Sequence, residues 1–212
     1  MKLLMAAAIG VAVAASAQAG MAADLQVETP VVSSASNWDG TYVGAFVGYG
    51  KGMAYQPDDE SDFLPDFELP LEGATLGATA GADFLVSGRV IAGMVGDLAW
   101  SRLHGGQEFY SDVDINWTAS LRGKLGYDAG AFLPYLTGGL AAAVINVNNN
   151  TFDVSNIHFG WTAGLGTEIA ISDALSLDLL YRYSDYGQVA YDDDIHFSAT
   201  AHTLSVGLNW RF

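Results

Sequence analysis

The stretch Ile115-Asn116-Trp117-Thr118-Ala119-Ser120-Leu121-Arg122-Gly123-Lys124-Leu125-Gly126-Tyr127 changes chemical character at every step. One parity holds Ile115, Trp117, Ala119, Leu121, Gly123, Leu125 and Tyr127; the other holds Asn116, Thr118, Ser120, Arg122, Lys124 and Gly126. Period two sustained over this length predicts a β-strand, because successive side chains point to opposite faces. The pattern recurs on both sides. Leu76, Ala78, Ala80, Ala82 and Phe84 alternate with Thr75, Gly77, Thr79, Gly81 and Asp83. Phe159, Trp161, Ala163, Leu165, Thr167 and Ile169 alternate with His158, Gly160, Thr162, Gly164, Gly166 and Glu168. At the end of the chain, Leu204, Val206, Leu208, Trp210 and Phe212 alternate with Thr203, Ser205, Gly207, Asn209 and Arg211.

Eight such segments are predicted, at 41–50, 74–84, 89–100, 114–127, 132–145, 158–171, 175–186 and 202–212; the first, third and fifth are less regular in parity. Their lengths suit the roughly 9–11 tilted residues that carry a strand across a bilayer. Short connections (85–88, 128–131, 172–174) alternate strictly with long ones (51–73, 101–113, 146–157, 187–201). That rhythm belongs to outer-membrane barrels with tight periplasmic turns and long outer loops. The expected fold is all-β, an eight-stranded antiparallel transmembrane up-and-down β-barrel in the bacterial outer membrane, with both termini periplasmic.

Aromatic residues mark where the bilayer begins and ends. Tyr49, Trp100, Trp117, Phe159, Trp161, Tyr181 and Tyr183 fall at the outer strand ends, and Phe84, Tyr127, Phe132, Trp210 and Phe212 at the inner ends. Two aromatic sets flanking Leu, Ala and Val are the expected interfacial girdles. A soluble barrel or sandwich would place its charge outside, but here charge lies opposite the large apolar set. The polar parity sends Asp83, Asp97, Glu168 and Asp178 inward, with Arg122, Lys124, Arg182 and Arg211 against them. Charges removed from water must be paired, and eight strands leave an interior just wide enough for side chains to fill. A lumen plugged by this ion-pair network is expected; the alternative is a narrow channel lined by the same charges.

Composition agrees. Of 212 residues, half are apolar, 24 are acidic and only 8 basic, for a net charge of −16. Nucleic acid is excluded as a partner, since phosphate binding needs a basic surface. The absence of cysteine removes disulfides, thiolate metal sites and thiol nucleophiles. Residues 1–22 read as a signal peptide: Lys2, an apolar run from Leu3 to Ala15, and Ala17-Gln18-Ala19 as a small-x-small site, with cleavage placed between Ala19 and Ala23. Residues 23–37 form a periplasmic leader and 38–212 the barrel domain. Loss of Lys2 moves the charge from −16 to −17. The lumen sums to zero, the outer loops and rims to −13 (fifteen acids against Lys51 and Arg102), and the leader and turns to −4.

Particular strings resemble the small alphaproteobacterial outer-membrane proteins labelled porin-like. They are Trp38-Asp39-Gly40-Thr41-Tyr42-Val43-Gly44, Leu121-Arg122-Gly123-Lys124-Leu125-Gly126-Tyr127, Pro134-Tyr135-Leu136-Thr137-Gly138-Gly139-Leu140-Ala141 and Gly160-Trp161-Thr162-Ala163-Gly164. The ending His202–Phe212 is similar to that family's last strand. The resemblance implies an OmpA-like eight-stranded barrel surrounded by outer-membrane lipid and lipopolysaccharide. It also implies insertion by the barrel-assembly machinery, which reads the terminal strand through Trp210 and Phe212. Where family members often carry Glu, this chain has Val95 and Leu180, a departure that touches the internal charge network.

Candidate chemistry is sparse. Asp58-Asp59-Glu60, with Asp62, Asp66, Glu68 and Glu72, and Asp192-Asp193-Asp194 offer hard oxygen ligands for divalent cations. Their spacing matches no calcium loop, so a solvated acidic surface is the expected role. His196-x-Ser198, with Asp193 or Asp194, has the residue types of a lipid hydrolase but falls in a loop of this map. His104, His158 and His202 lack metal-ligand spacing. No cofactor and no enzymatic activity are expected. The favoured function is a structural and surface role in the cell envelope; a small diffusion pore is the alternative, and a lipid hydrolase a distant third.

Overall fold

The computed structural model describes residues 38–56, 67–105, 112–149, 152–192 and 195–212. The chain divides into Met1–Ser34, which lies outside the described residues together with the expected signal peptide and most of the leader, and Ala35–Phe212, which forms the barrel. Its strands are β1 (Gly40–Gln56), β2 (Phe67–Ser87), β3 (Val90–Gly105), β4 (Asp112–Tyr127), β5 (Phe132–Asn149), β6 (Phe152–Ala170), β7 (Leu175–Asp192) and β8 (Ile195–Arg211). Each pairs antiparallel with its neighbours, and β1 closes on β8. Closure gives every strand two hydrogen-bonded neighbours, the condition for sheet to exist in hydrocarbon.

The turns between β2 and β3, β4 and β5, and β6 and β7 gather at one end of the barrel, with Trp38 and Phe212. Gly88 and Gly130 take positive φ of 56° and 85° there, which their missing Cβ permits. The Asp128 carboxylate accepts a hydrogen bond from the Gly130 N–H at 2.9 Å and fixes the second turn. At the opposite, loop end the strands run further than expected. With 16 to 21 residues they exceed what a bilayer crossing needs. Much of 51–73, 101–113, 146–157 and 187–201, expected as loop, is therefore strand. His196 and Ser198, expected in a loop, lie on β8.

The outward face between the aromatic rows is apolar and exposed: Leu76, Leu98, Leu121, Leu125, Leu136, Leu140 and Leu165 are all more than half accessible. Leucine does not stand in water at this density over a folded surface, so the wall is built for hydrocarbon. One expected orientation is reversed. Ile115 belongs to the apolar parity of β4 but is fully buried in the lumen. Register shifts between Ile115 and Trp117, where Ile115 faces Ile145 and Trp117 faces Val144, so Asn116 is an extra residue. A bulge of one residue flips the face of everything beyond it.

The β6–β7 seam is shorter than its neighbours. Its pairing runs only from Trp161↔Asp185 to Ala170↔Ser176, whereas β5 and β6 remain zipped to Asn149↔Phe152.

Candidate functional site: the lumen

All eight charged residues expected inside the barrel point inward and are buried or nearly so. They fall into two clusters. Near the turn end, Lys124 Nζ lies 2.9 Å from Asp83 Oδ2 and also bonds Glu168 Oε1. Arg211 reaches the same two acids at 3.1 and 3.4 Å. Its Nη1 donates to the Trp38 carbonyl at 2.6 Å, and the Ser176 hydroxyl donates to Glu168 at 2.7 Å. Two bases and two acids thus share a neutral quartet. Lys124 also lies between aromatic faces, 5.2 Å from the Tyr42 ring centre and 4.8 Å from that of Tyr135.

Higher in the lumen Asp97 takes two guanidiniums, Arg122 at 2.7 Å and Arg182 at 3.0 Å, and the Ser120 hydroxyl at 2.5 Å. This second cluster has an excess positive charge. Asp178, the fourth inward acid, accepts a hydrogen bond from the Tyr135 phenol at 2.7 Å and forms no ion pair with a described base. The expected pairing of four acids with four bases is therefore three acids shared among four bases, plus one acid held by a phenol.

Glycine makes the two lumen tyrosines possible. A Cβ at Gly81 would stand 2.5 Å from the Tyr42 ring, and one at Gly166 would stand 2.5 Å from that of Tyr135. Each ring therefore lies flat over the neighbouring strand, where a side chain would push it into the lysine. Val95 and Leu180, the apolar residues at the family's departure positions, are both buried and line the remaining space beside Arg122 and Arg182. That space amounts to about 30 Å³, on the scale of one or two water molecules.

The polar network is bounded above and below by apolar packing that the parity argument did not reveal. Toward the loops, Leu69, Leu71, Leu103, Val113, Ile115 and Ile145 form a buried cluster with Ala54, Ala141, Ala143, Tyr186, Ala199 and Ala201. Toward the turns, Trp38, Ile91 and Leu133 pack together, with Ala170 against them. The signal was present: on β5 the inward Ala141, Ala143 and Ile145 oppose the outward Leu140, Ala142 and Val144, so both faces are apolar. A strand lined by lipid outside and an apolar plug inside cannot alternate, which accounts for the poor regularity of the fifth segment.

Trp38 closes the turn end: it is 1% exposed and its indole N–H donates to the Gly130 carbonyl at 3.0 Å. Trp38→Phe removes this hydrogen bond and part of the indole's packing against Ile91 and Leu133, so it is expected to lower stability by about 2 kcal/mol. Urea unfolding of the refolded barrel measures this; an unchanged midpoint would deny Trp38 any structural weight at the turn end.

The outward aromatic residues are exposed near the two ends of the barrel wall. Trp100, Trp117, Trp161 and Tyr181 are exposed toward the loop end, Tyr183 is partly so, and Phe84, Tyr127, Trp210 and Phe212 are exposed toward the turns. Trp100 and Trp117 are direct cross-strand partners. The Phe212 N–H donates to the Thr41 carbonyl at 2.9 Å, which fixes the last residue to the first strand.

The other candidates do not assemble. Among the described residues no group of three or more His, Asp or Glu is placed to hold a metal. Asp58, Asp59, Glu60, Asp62, Asp66, Asp193 and Asp194 lie outside the described residues, while Glu68 and Glu72 are exposed on β2. The Ser198 hydroxyl donates to the Tyr55 carbonyl at 3.4 Å, and the His196 side chain is outside the described set. His104 pairs with Asp114 at 2.8 Å, His202 bonds the Tyr181 phenol at 2.7 Å, and His158 is buried on the inward face of β6.

Comparison with known proteins gives a consistent picture. Residues 3–212 match the family described as outer membrane protein beta-barrel domain. The chain is 31% identical over 205 residues to the 25 kDa outer-membrane immunogenic protein of Brucella abortus, covering 93% of this chain and 92% of that one. It is 30% identical to the 31 kDa outer-membrane immunogenic protein of Brucella melitensis, covering 92% and 95%. To the 22 kDa outer membrane protein of Rhizobium leguminosarum it is 32% identical over 170 residues, covering 79% and 72%.

Proposed function

The chain belongs to the outer membrane protein beta-barrel family, and from that membership we propose that it is a structural and surface protein of the bacterial envelope whose lumen does not conduct. The turn end, with both ends of the barrel domain, faces the periplasm, and the loop end faces the cell exterior. Phospholipid and lipopolysaccharide surround the exposed leucine belt. The single observation that carries the closed-lumen reading is the roughly 30 Å³ left between the two ion-pair clusters, with apolar packing on either side. A hydrated solute needs a continuous wet path. Here the path is interrupted by buried, ion-paired side chains and by apolar ones that water does not wet.

The exterior is the acidic part of the protein, and its role is contact with the surroundings rather than catalysis. Liposomes carrying the refolded barrel test the closed lumen directly. No swelling above protein-free vesicles is expected in arabinose or glucose. Brisk swelling in these sugars would replace the structural reading with that of a small diffusion pore.

A further inference from the structure

A slanted band of outward side chains runs past the loop-end girdle across six of the eight strands. Following the strand register, Tyr183 on β7 faces His202 on β8, which faces Lys51 on β1, then Glu72 on β2, His104 on β3 and Asp114 on β4. Lys51 lies two residues beyond the girdle residue Tyr49, and Arg102 two residues beyond Trp100. Alternation puts each on the same outward face as the aromatic ring beneath it. The guanidinium of Arg102 lies over the Trp100 ring at 5.4 Å, and no described carboxylate is within ion-pair distance of it. Lys51 is 73% exposed, and Glu72 holds it against the wall at 3.6 Å.

The placement is selective. Of the eight bases in the sequence, Lys2 precedes the barrel, four fill the lumen and Arg89 sits in the β2–β3 turn. Among the described residues, Lys51 and Arg102 are therefore the only bases on the loop-end exterior. They lie on β1 and β3, two strand spacings (about 10 Å) apart across β2, with Arg102 two residues short of His104 on β3. Solubility alone would scatter such charges; here two exposed cations, one beside Glu72 and one over the Trp100 ring, are set immediately above an aromatic girdle. At that depth a barrel wall meets lipid headgroups.

We propose that Lys51 and Arg102, on the β1–β3 wall above Tyr49 and Trp100, form a docking surface for the phosphorylated headgroup of an outer-leaflet glycolipid. The acyl chains lie along the leucine belt below, the aromatic rings cover the sugar boundary, and the two cations meet phosphate. His104 and His202 border the same surface, their ring nitrogens engaged by Asp114 and the Tyr181 phenol. The surface rests on the outward orientation of the loop end and is independent of whether the lumen conducts.

Native mass spectrometry of the detergent-solubilised, folded barrel titrated with bisphosphorylated lipid A tests it. Each base near a membrane surface is worth about fivefold in affinity, so Lys51→Gln with Arg102→Gln is expected to weaken lipid A retention about 30-fold. Arg89→Gln, at the opposite end, leaves retention unchanged. Dephosphorylated lipid A binds the native protein as weakly as lipid A binds the double variant. Equal retention by native and double-variant barrels, or equal retention of both lipids, would overturn the proposal. Displacement of lipid A by millimolar inorganic phosphate would also overturn it, by making the site one for the free anion. The heat-shifted electrophoretic mobility of a folded barrel verifies each variant, and Lys51→Gln alone, expected to lose about fivefold, keeps the test open if the pair does not fold.

Discussion

Lys124→Met is expected to destabilise the folded barrel by about 3–5 kcal/mol, because it leaves Asp83 and Glu168 buried with only Arg211 to share. The lysine stem and the methionine side chain are similar in volume, so the change removes the charge and little packing. The two tyrosine rings that flank the ammonium stay in place over Gly81 and Gly166. Urea unfolding in vesicles, followed by tryptophan fluorescence, measures the loss. Removal of the whole quartet separates burial of charge from loss of shape. Asp83→Asn, Lys124→Met, Glu168→Gln and Arg211→Met together are expected to recover most of the stability, since no unpaired ion then remains. An unfolding midpoint for Lys124→Met equal to that of the native protein would mean that the quartet does not hold the lumen together.

Leu121→Arg carries the second large effect. Leu121 is 54% exposed and lies midway along β4 between the girdle residues Trp117 and Tyr127. A guanidinium at the bilayer midplane costs about 2–4 kcal/mol, falling to about 0–1 kcal/mol near the interface. Met53, also outward and beyond the girdle at Tyr49, supplies the comparison: Met53→Arg is expected to cost no more than about 1 kcal/mol. Reversible unfolding from lipid vesicles gives both values. Equal costs at the two positions would place the leucine belt outside the hydrocarbon.

These two substitutions depend on different levels of information. The orientation of Leu121 is local: it follows from alternation with Arg122 and Ser120, which any short window of β4 reveals. Alternation likewise identified eight strands, the aromatic rows at both ends, and the inward parity of Asp83, Asp97, Glu168 and Arg211. It failed where the chain departs from strict period two. The extra residue at Asn116 turns Ile115 inward, and nothing in the local pattern distinguishes a bulge from a continuing strand. It also failed where both faces are apolar, because a period needs contrast to be visible. The strand extensions at the loop end escape it for a different reason. Above the lipid their polar side chains, such as Glu68, Glu72, Arg102 and His104, face outward and their apolar ones, such as Leu69, Leu71 and Leu103, fill the plug, the reverse of the membrane-spanning parity.

The partners within the lumen belong to the tertiary structure alone. Asp97 meets Arg122 across 25 residues of chain and Arg182 across 85, and Arg211 meets Asp83 across 128. Alternation states that these side chains share an interior; it carries no information about height or about which strands face one another across the barrel. Closure of β1 on β8 and the stagger of the strands set those quantities. That is why Asp178 was expected to pair with a base and instead accepts the Tyr135 phenol. The sequence by itself determined the wall, since lipid on one side and polar groups on the other impose a period of two on every strand. Only the closed barrel decided the contents, since an interior one side chain deep is packed by residues that meet only once the sheet has curled.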